Sequence, residues 1–193
     1  MLMAYSPRLN SAGIRNNPYW YSRNPFYQSG YGMPNCTCYA WGRFWEISDP
    51  LTQYIHRPQL PRGNGNQWFA QAQSAGIYQT GQTPKLGAVI CFGGASPGHV
   101  AIVEQIRANG VIVTSNSAWR STYFYTSVLT PNAQGKYKIY LSTKTYTSQG
   151  FIYNPYADST PTPPTPTPTP SGESKKDKFP WPVALHHWQN FNH

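Results

Sequence analysis

The chain has 193 residues, 39% of them hydrophobic and 16% aromatic, which allows one domain of ordinary size with a real core plus a tail. Lys and Arg number 15 against six Asp and Glu, and the whole net charge of +9 lies before Asp158, so that part of the surface is drawn to polyanions such as nucleic acid, anionic lipid or acidic wall polymers. Three cysteines argue against a disulfide framework, and with no membrane-length apolar window and no apolar run after a basic start in Met1 to Gly13, the expectation is a soluble protein without an export signal.

In chain order, Asn16 to Gly32 is rich in Tyr, Asn, Pro and Gly, and its two echoing segments, Asn17-Pro18-Tyr19 and Asn24-Pro25-Phe26, predict an ordered loop stapled by aromatic rings. Cys36 to Ser48 starts just after Pro34 and Asn35 and spreads Tyr39, Trp41, Phe44, Trp45 and Ile47 around its circumference. That pattern predicts a mostly buried helix ending before Asp49-Pro50. The turn Gly63-Asn64-Gly65-Asn66 opens a second helix over Asn66 to Ala75, closed by Gly76. The period then changes, and Ala88 to Phe92, His99 to Arg107, Val111 to Thr114 and Tyr137 to Ser142 read as strands, with Asn109-Gly110 a hairpin signal between two of them. Helices followed by an antiparallel sheet predict an α+β domain. Ser159 to Ser171 alternates Thr and Pro, the composition of a semi-rigid polyproline spacer. The expected organisation is a domain over 1–157, a linker over 158–178 and a short aromatic tail of unassigned role over 179–193.

Two motifs carry chemistry. Asn35-Cys36-Thr37-Cys38-Tyr39-Ala40-Trp41-Gly42-Arg43 puts a thiol in the first turn of a helix, and Gly98-His99-Val100-Ala101-Ile102-Val103-Glu104 puts a histidine at the head of an apolar strand. Unsatisfied helix N–H groups and an imidazole both favour a thiolate, so the pair reads as nucleophile and base of a cysteine hydrolase, resting as thiolate and imidazolium. The backbone N–H of Cys36 and the side-chain amide of Asn35 are candidate oxyanion donors. Cys38 and Cys91 read as core, and a zinc site from Cys36, Cys38, Cys91 and His99 is disfavoured by its C-x-C spacing. Arg43 and Trp41 read as helix packing and surface charge. Glu104, five positions past His99, falls on the opposite side of the strand. His56 reads as a loop residue and His186, His187 and His193 as the end of a solvated tail.

Together with Pro84-Lys85-Leu86-Gly87-Ala88-Val89-Ile90-Cys91-Phe92-Gly93-Gly94, these motifs resemble the CHAP family of cysteine, histidine-dependent amidohydrolases and peptidases over about Tyr19 to Ser142. The resemblance implies a papain-like α+β fold and cleavage of a peptidoglycan amide, either between glycan and stem peptide or within the peptide and its cross-bridge. It places the nucleophile on Cys36 and the general base on His99. The third member falls on Asn116, in Val113-Thr114-Ser115-Asn116-Ser117-Ala118-Trp119, where relatives often have Glu; an Asn orients an imidazole without supplying charge. The family is common in bacteriophage lysins, which implies an endolysin released from the host cytoplasm by a holin, or a virion tail lysin, acting on the wall of a Gram-positive host. A non-catalytic wall-binding or tail structural protein is the alternative. No Asp-rich loop precedes Cys36, so no calcium and no other cofactor is expected. No nucleic-acid motif accompanies the charge.

Overall fold

The aromatic-rich stretch contains a helix of one turn, α1 (Pro25–Gln28), where the sequence predicts only a loop. Asn24 explains it. Its Oδ1 accepts from the Phe26 N–H at 3.0 Å, while its Nδ2 donates to the carbonyls of Tyr19 and Cys38, so one buried amide caps a helix and fastens the stretch to the next one. The computed structural model describes residues 5–49 and 51–157. The linker and tail expected over 158–178 and 179–193, with His186, His187 and His193, lie outside the described residues.

The second helix, α2 (Cys36–Ser48), has the predicted bounds. It begins at Asn35, whose extended backbone and side-chain Oδ1, accepting from the Thr37 N–H at 2.9 Å, form an N-cap. Trp41, Phe44 and Trp45 are buried, and the Trp20 indole crosses α2 at Gly42 to donate to the Tyr39 carbonyl at 3.0 Å. A side chain at Gly42 would run into that indole ring. The third helix, α3 (Trp68–Ala75), is shorter than expected because Gly65–Gln67 forms a tighter 3₁₀ turn, closed by Gln67 Oε1 accepting from the Asn64 N–H. Gly76, in the left-handed region at φ 63°, ends it as predicted.

The remaining elements, β1 (Thr80–Gly81), β2 (Val89–Gly93), β3 (His99–Ile106), β4 (Ile112–Asn116), β5 (Tyr125–Leu129), β6 (Lys138–Leu141) and β7 (Lys144–Ile152), make one antiparallel sheet among the described residues, ordered β1-β7-β2-β3-β4-β5 with β6 on β7. Helices packed on an antiparallel sheet are the α+β class expected. Asn109 and Gly110, both at positive φ, turn β3 into β4 as their sequence signal requires. Alternation sorts the two faces. Val89, Cys91, Val100 and Ile102 join the tryptophans around α2, whereas Ile90, Phe92, Ala101 and Val103 join Tyr137, Ile139, Tyr146 and Phe151. A register shift against β7 between Cys91 and Phe92 accompanies this double burial.

One sequence expectation needs correction. Arg43 is not a surface charge: it is buried, and its guanidinium grips Glu104 with Nε to Oε1 and Nη2 to Oε2, both at 2.9 Å. Glu104 is fully buried and also accepts from Ser115 Oγ, Tyr5 Oη and the Arg8 N–H, so every lone pair of a costly buried carboxylate is used. Arg43 also reaches Glu46, which pairs with Arg8. Cys36, Cys38 and Cys91 are all unbridged. Among the described residues no helix is long and apolar enough to cross a membrane.

Candidate active site

Cys36, half-buried, is the first residue of α2. Its thiol lies against the backbone N–H of Val100, the residue after His99, which brings the two sequence motifs together. The N–H groups of Val100, Thr37 and Cys36 pull the thiol toward ionisation, but burial outweighs them and raises it above its ordinary value. Asn35 is held at both ends of its side chain: Oδ1 accepts from Thr37, and Nδ2 donates to the Tyr31 carbonyl at 2.9 Å. The structure therefore shows Asn35 as a cap through Oδ1, with one of its two Nδ2 hydrogens given to Tyr31. The Asn35 N–H is in turn received by Ser117 Oγ at 3.0 Å, tying the nucleophile's loop to the end of β4.

His99 opens β3 behind Gly98, whose φ of 77° and contact with the Asn66 backbone leave no room for a side chain. The imidazole is buried 6.0 Å from the Phe92 ring, and its Nε2 lies 3.0 Å from Asn116 Oδ1. The amide orientation follows from its other end, since Nδ2 faces two acceptors, the carbonyl and hydroxyl of Thr114 at 3.1 and 3.0 Å. Oδ1 must then accept, so Nε2 carries the hydrogen and Nδ1 is left as the basic nitrogen. The structure thus joins His99 to Asn116 and sets the Cys36 thiol by the backbone of the residue that follows His99. Burial lowers His99 to about 4, with the Asn116 hydrogen bond opposing the shift. Desolvation thus acts against both charges of the expected ion pair, and Asn116 supplies none to offset it.

Cys38 and Cys91 are fully buried in the core, as expected, with burial pushing Cys38 up to about 12 and Cys91 higher still. His56 bonds the Ser48 carbonyl through Nδ1 and lies against the Tyr156 ring. Among the described residues no three His, Cys, Asp or Glu side chains group to hold a metal. Beside the site, exposed Tyr31 and Trp119 pair at 5.8 Å with the Arg120 guanidinium over Trp119, and the Arg120 N–H binds the Pro34 carbonyl. Sequence reading missed Ser117 and Tyr125. Tyr125 opens β5, a strand whose alternation, Tyr125-Thr126-Ser127-Val128-Leu129, was the available signal.

The structure thus has a thiol at a helix start and, on an antiparallel sheet, a histidine hydrogen-bonded to an asparagine. Residues 26–118 match the family model described as the CHAP domain, the family that the chain's motifs resemble. The chain is similar to a Staphylococcus aureus protein named as an autolysin, 34% identical over 91 residues, covering 44% of this chain and 28% of the relative. A Streptococcus mutans serotype c protein named as a hydrolase is 30% identical over 76 residues, 38% of this chain and 36% of that one. The matches thus span about a third of these relatives. A solved N-acetylmuramoyl-L-alanine amidase from Staphylococcus aureus aligns with a TM-score of 0.40 and 27% identity, over 62% of this chain and 32% of its own.

Proposed function

We propose that the domain hydrolyses an amide bond of bacterial peptidoglycan, with Cys36 as nucleophile, His99 as general base and then acid, and Asn116 as the residue that orients the imidazole. The observation that carries the reading is the His99 Nε2 to Asn116 Oδ1 hydrogen bond beside a thiol at the start of α2. With Nε2 occupied, Nδ1 takes the thiol proton as sulfur attacks the carbonyl carbon. The C=O electron pair moves to oxygen and is met by backbone N–H at the helix start. As the tetrahedral centre collapses, Nδ1 returns the proton to the departing nitrogen, and water releases the acyl group from sulfur. The family match and a relative named autolysin support a wall substrate. The exposed Tyr31 and Trp119 beside the site offer flat apolar surface for a sugar or stem peptide. Service as a phage endolysin reaching the wall after holin action, or as a virion tail lysin, remains part of the proposal.

Purified walls from several bacteria, incubated with native protein and with Cys36→Ala, test it. Native protein is expected to release soluble fragments, and Cys36→Ala none. Mass spectrometry then names the bond: stem peptides freed of amino sugar mark an amidase, new amino termini within the peptide an endopeptidase. Equal release by both proteins would overturn the Cys36 mechanism, and binding without release by native protein would favour the non-catalytic wall-binding alternative.

A further inference from the structure

Tyr125 stands directly opposite Asn116 in the β4–β5 ladder. Residues opposite each other in an antiparallel pair project from the same face, so the Tyr125 ring leaves the sheet on the side where Asn116 meets His99. The coupling extends to the backbone, since the Tyr125 carbonyl lies 3.5 Å from Asn116 Nδ2. At the end of that ring the hydroxyl is buried and has no hydrogen-bond partner among the described residues. A buried hydroxyl without a partner forfeits a hydrogen bond that water would have given it, and a catalytic role is one reason such a group is kept. Burial first, and then charge on the Cys36 sulfur, raise the Tyr125 phenol. It is therefore protonated at neutral pH and is a donor, not a base. Asn35 meanwhile spends Oδ1 on the helix cap and one of its two Nδ2 hydrogens on the Tyr31 carbonyl, so a further oxyanion donor beside the backbone N–H is open to assignment.

We propose that the Tyr125 hydroxyl is that donor, a catalytic residue that hydrogen-bonds the carbonyl oxygen as it becomes negative during attack by Cys36. The inference rests on the proposed function. No proton moves from the phenol: the C–S bond forms, the carbonyl electron pair goes to oxygen, Tyr125 and backbone N–H stabilise it, and the pair returns when the C–N bond breaks and His99 protonates nitrogen.

The test uses the full chain, with Tyr125→Phe beside Cys36→Ala, on solubilised peptidoglycan and with iodoacetamide. Tyr125→Phe is expected to lose on the order of 100-fold in kcat with KM nearly unchanged, the usual cost of one oxyanion donor. Its Tm should hold or rise, because the deleted hydroxyl has no partner. Alkylation of Cys36 by iodoacetamide, which attacks through sulfur and builds no oxyanion, should proceed at the native rate. A kcat within threefold of native, while Cys36→Ala is inactive, overturns the Tyr125 role and leaves the nucleophile standing. Alkylation slowed as much as turnover also overturns it, because the phenol would then act on sulfur. Full activity of Cys36→Ala removes the mechanism beneath both.

Discussion

Asn116 stands where an amide fits and a carboxylate would not. Its Nδ2 is surrounded by the carbonyl and hydroxyl of Thr114, both able to accept, while its Oδ1 faces an imidazole N–H. A carboxylate in the same pose would turn an oxygen toward the Thr114 carbonyl. Asn116→Asp should therefore cost about 1–3 kcal/mol in a urea titration, while its charge raises His99 and moves the acid limb of the rate profile to higher pH. An unchanged limb would show that residue 116 does not face the imidazole. His99 itself sets a second expectation. Between 6.5, its ordinary value, and about 4, its value here, the unfolded chain binds a proton that the folded protein excludes. Stability tied to His99 is thus complete above 6.5 and is withdrawn as pH falls toward 4, about 3 kcal/mol in all. Urea midpoints of native protein should drop more steeply across that window than those of His99→Gln; parallel slopes would contradict it. Turnover, which needs neutral His99, should rise through about pH 4 and stay level across neutrality.

At the scale of elements, α2 is the part most exposed to small changes. Trp20 lies across Gly42, so Gly42→Val forces an indole and a helix apart and should cost roughly 1–3 kcal/mol or more, read as a lower urea midpoint at constant m. A neutral result would mean that Trp20 does not pack there. The bounds of α2 were legible because its signals are local: a capping Asn, an aromatic-rich run and Asp49-Pro50. The head of β3 was legible for the same reason, with Gly98 before His99 and Asn109-Gly110 after the strand. β5 and most of β7 were not. Their Thr, Ser and Tyr residues read as polar loop until the sheet gives every second one a buried face, which is a tertiary property. The same holds for the proposed site: Cys36, His99 and Asn116 are picked out by motif, whereas Tyr125 is picked out only by the residue opposite. Glu104 was read only as lying on the other side of the strand from His99; that this side holds a buried arginine is a tertiary fact.

Across the whole molecule, the Arg43–Glu104 pair connects three stretches far apart in the chain. Tyr5, Ser6 and Arg8 from the start, Arg43 and Glu46 from α2, and Glu104 and Ser115 from β3 and β4 form one hydrogen-bonded group. Glu104→Ala would leave the Arg43 guanidinium buried without its main counter-charge and should cost about 3–5 kcal/mol. Arg43→Met with Glu104→Leu, which removes both charges, should recover most of that loss. If the double variant is no more stable than the single one in urea, packing and not charge holds this region together.

Of the three sulfurs, two are sealed in the core and resist ionisation, whereas the third lies at the half-buried start of α2. A chromogenic thiol reagent should accordingly consume one equivalent per native chain and three after denaturation. That stoichiometry makes the protein its own titrant: the single fast equivalent counts competent molecules in any preparation, so a specific rate can be expressed per functioning site instead of per milligram.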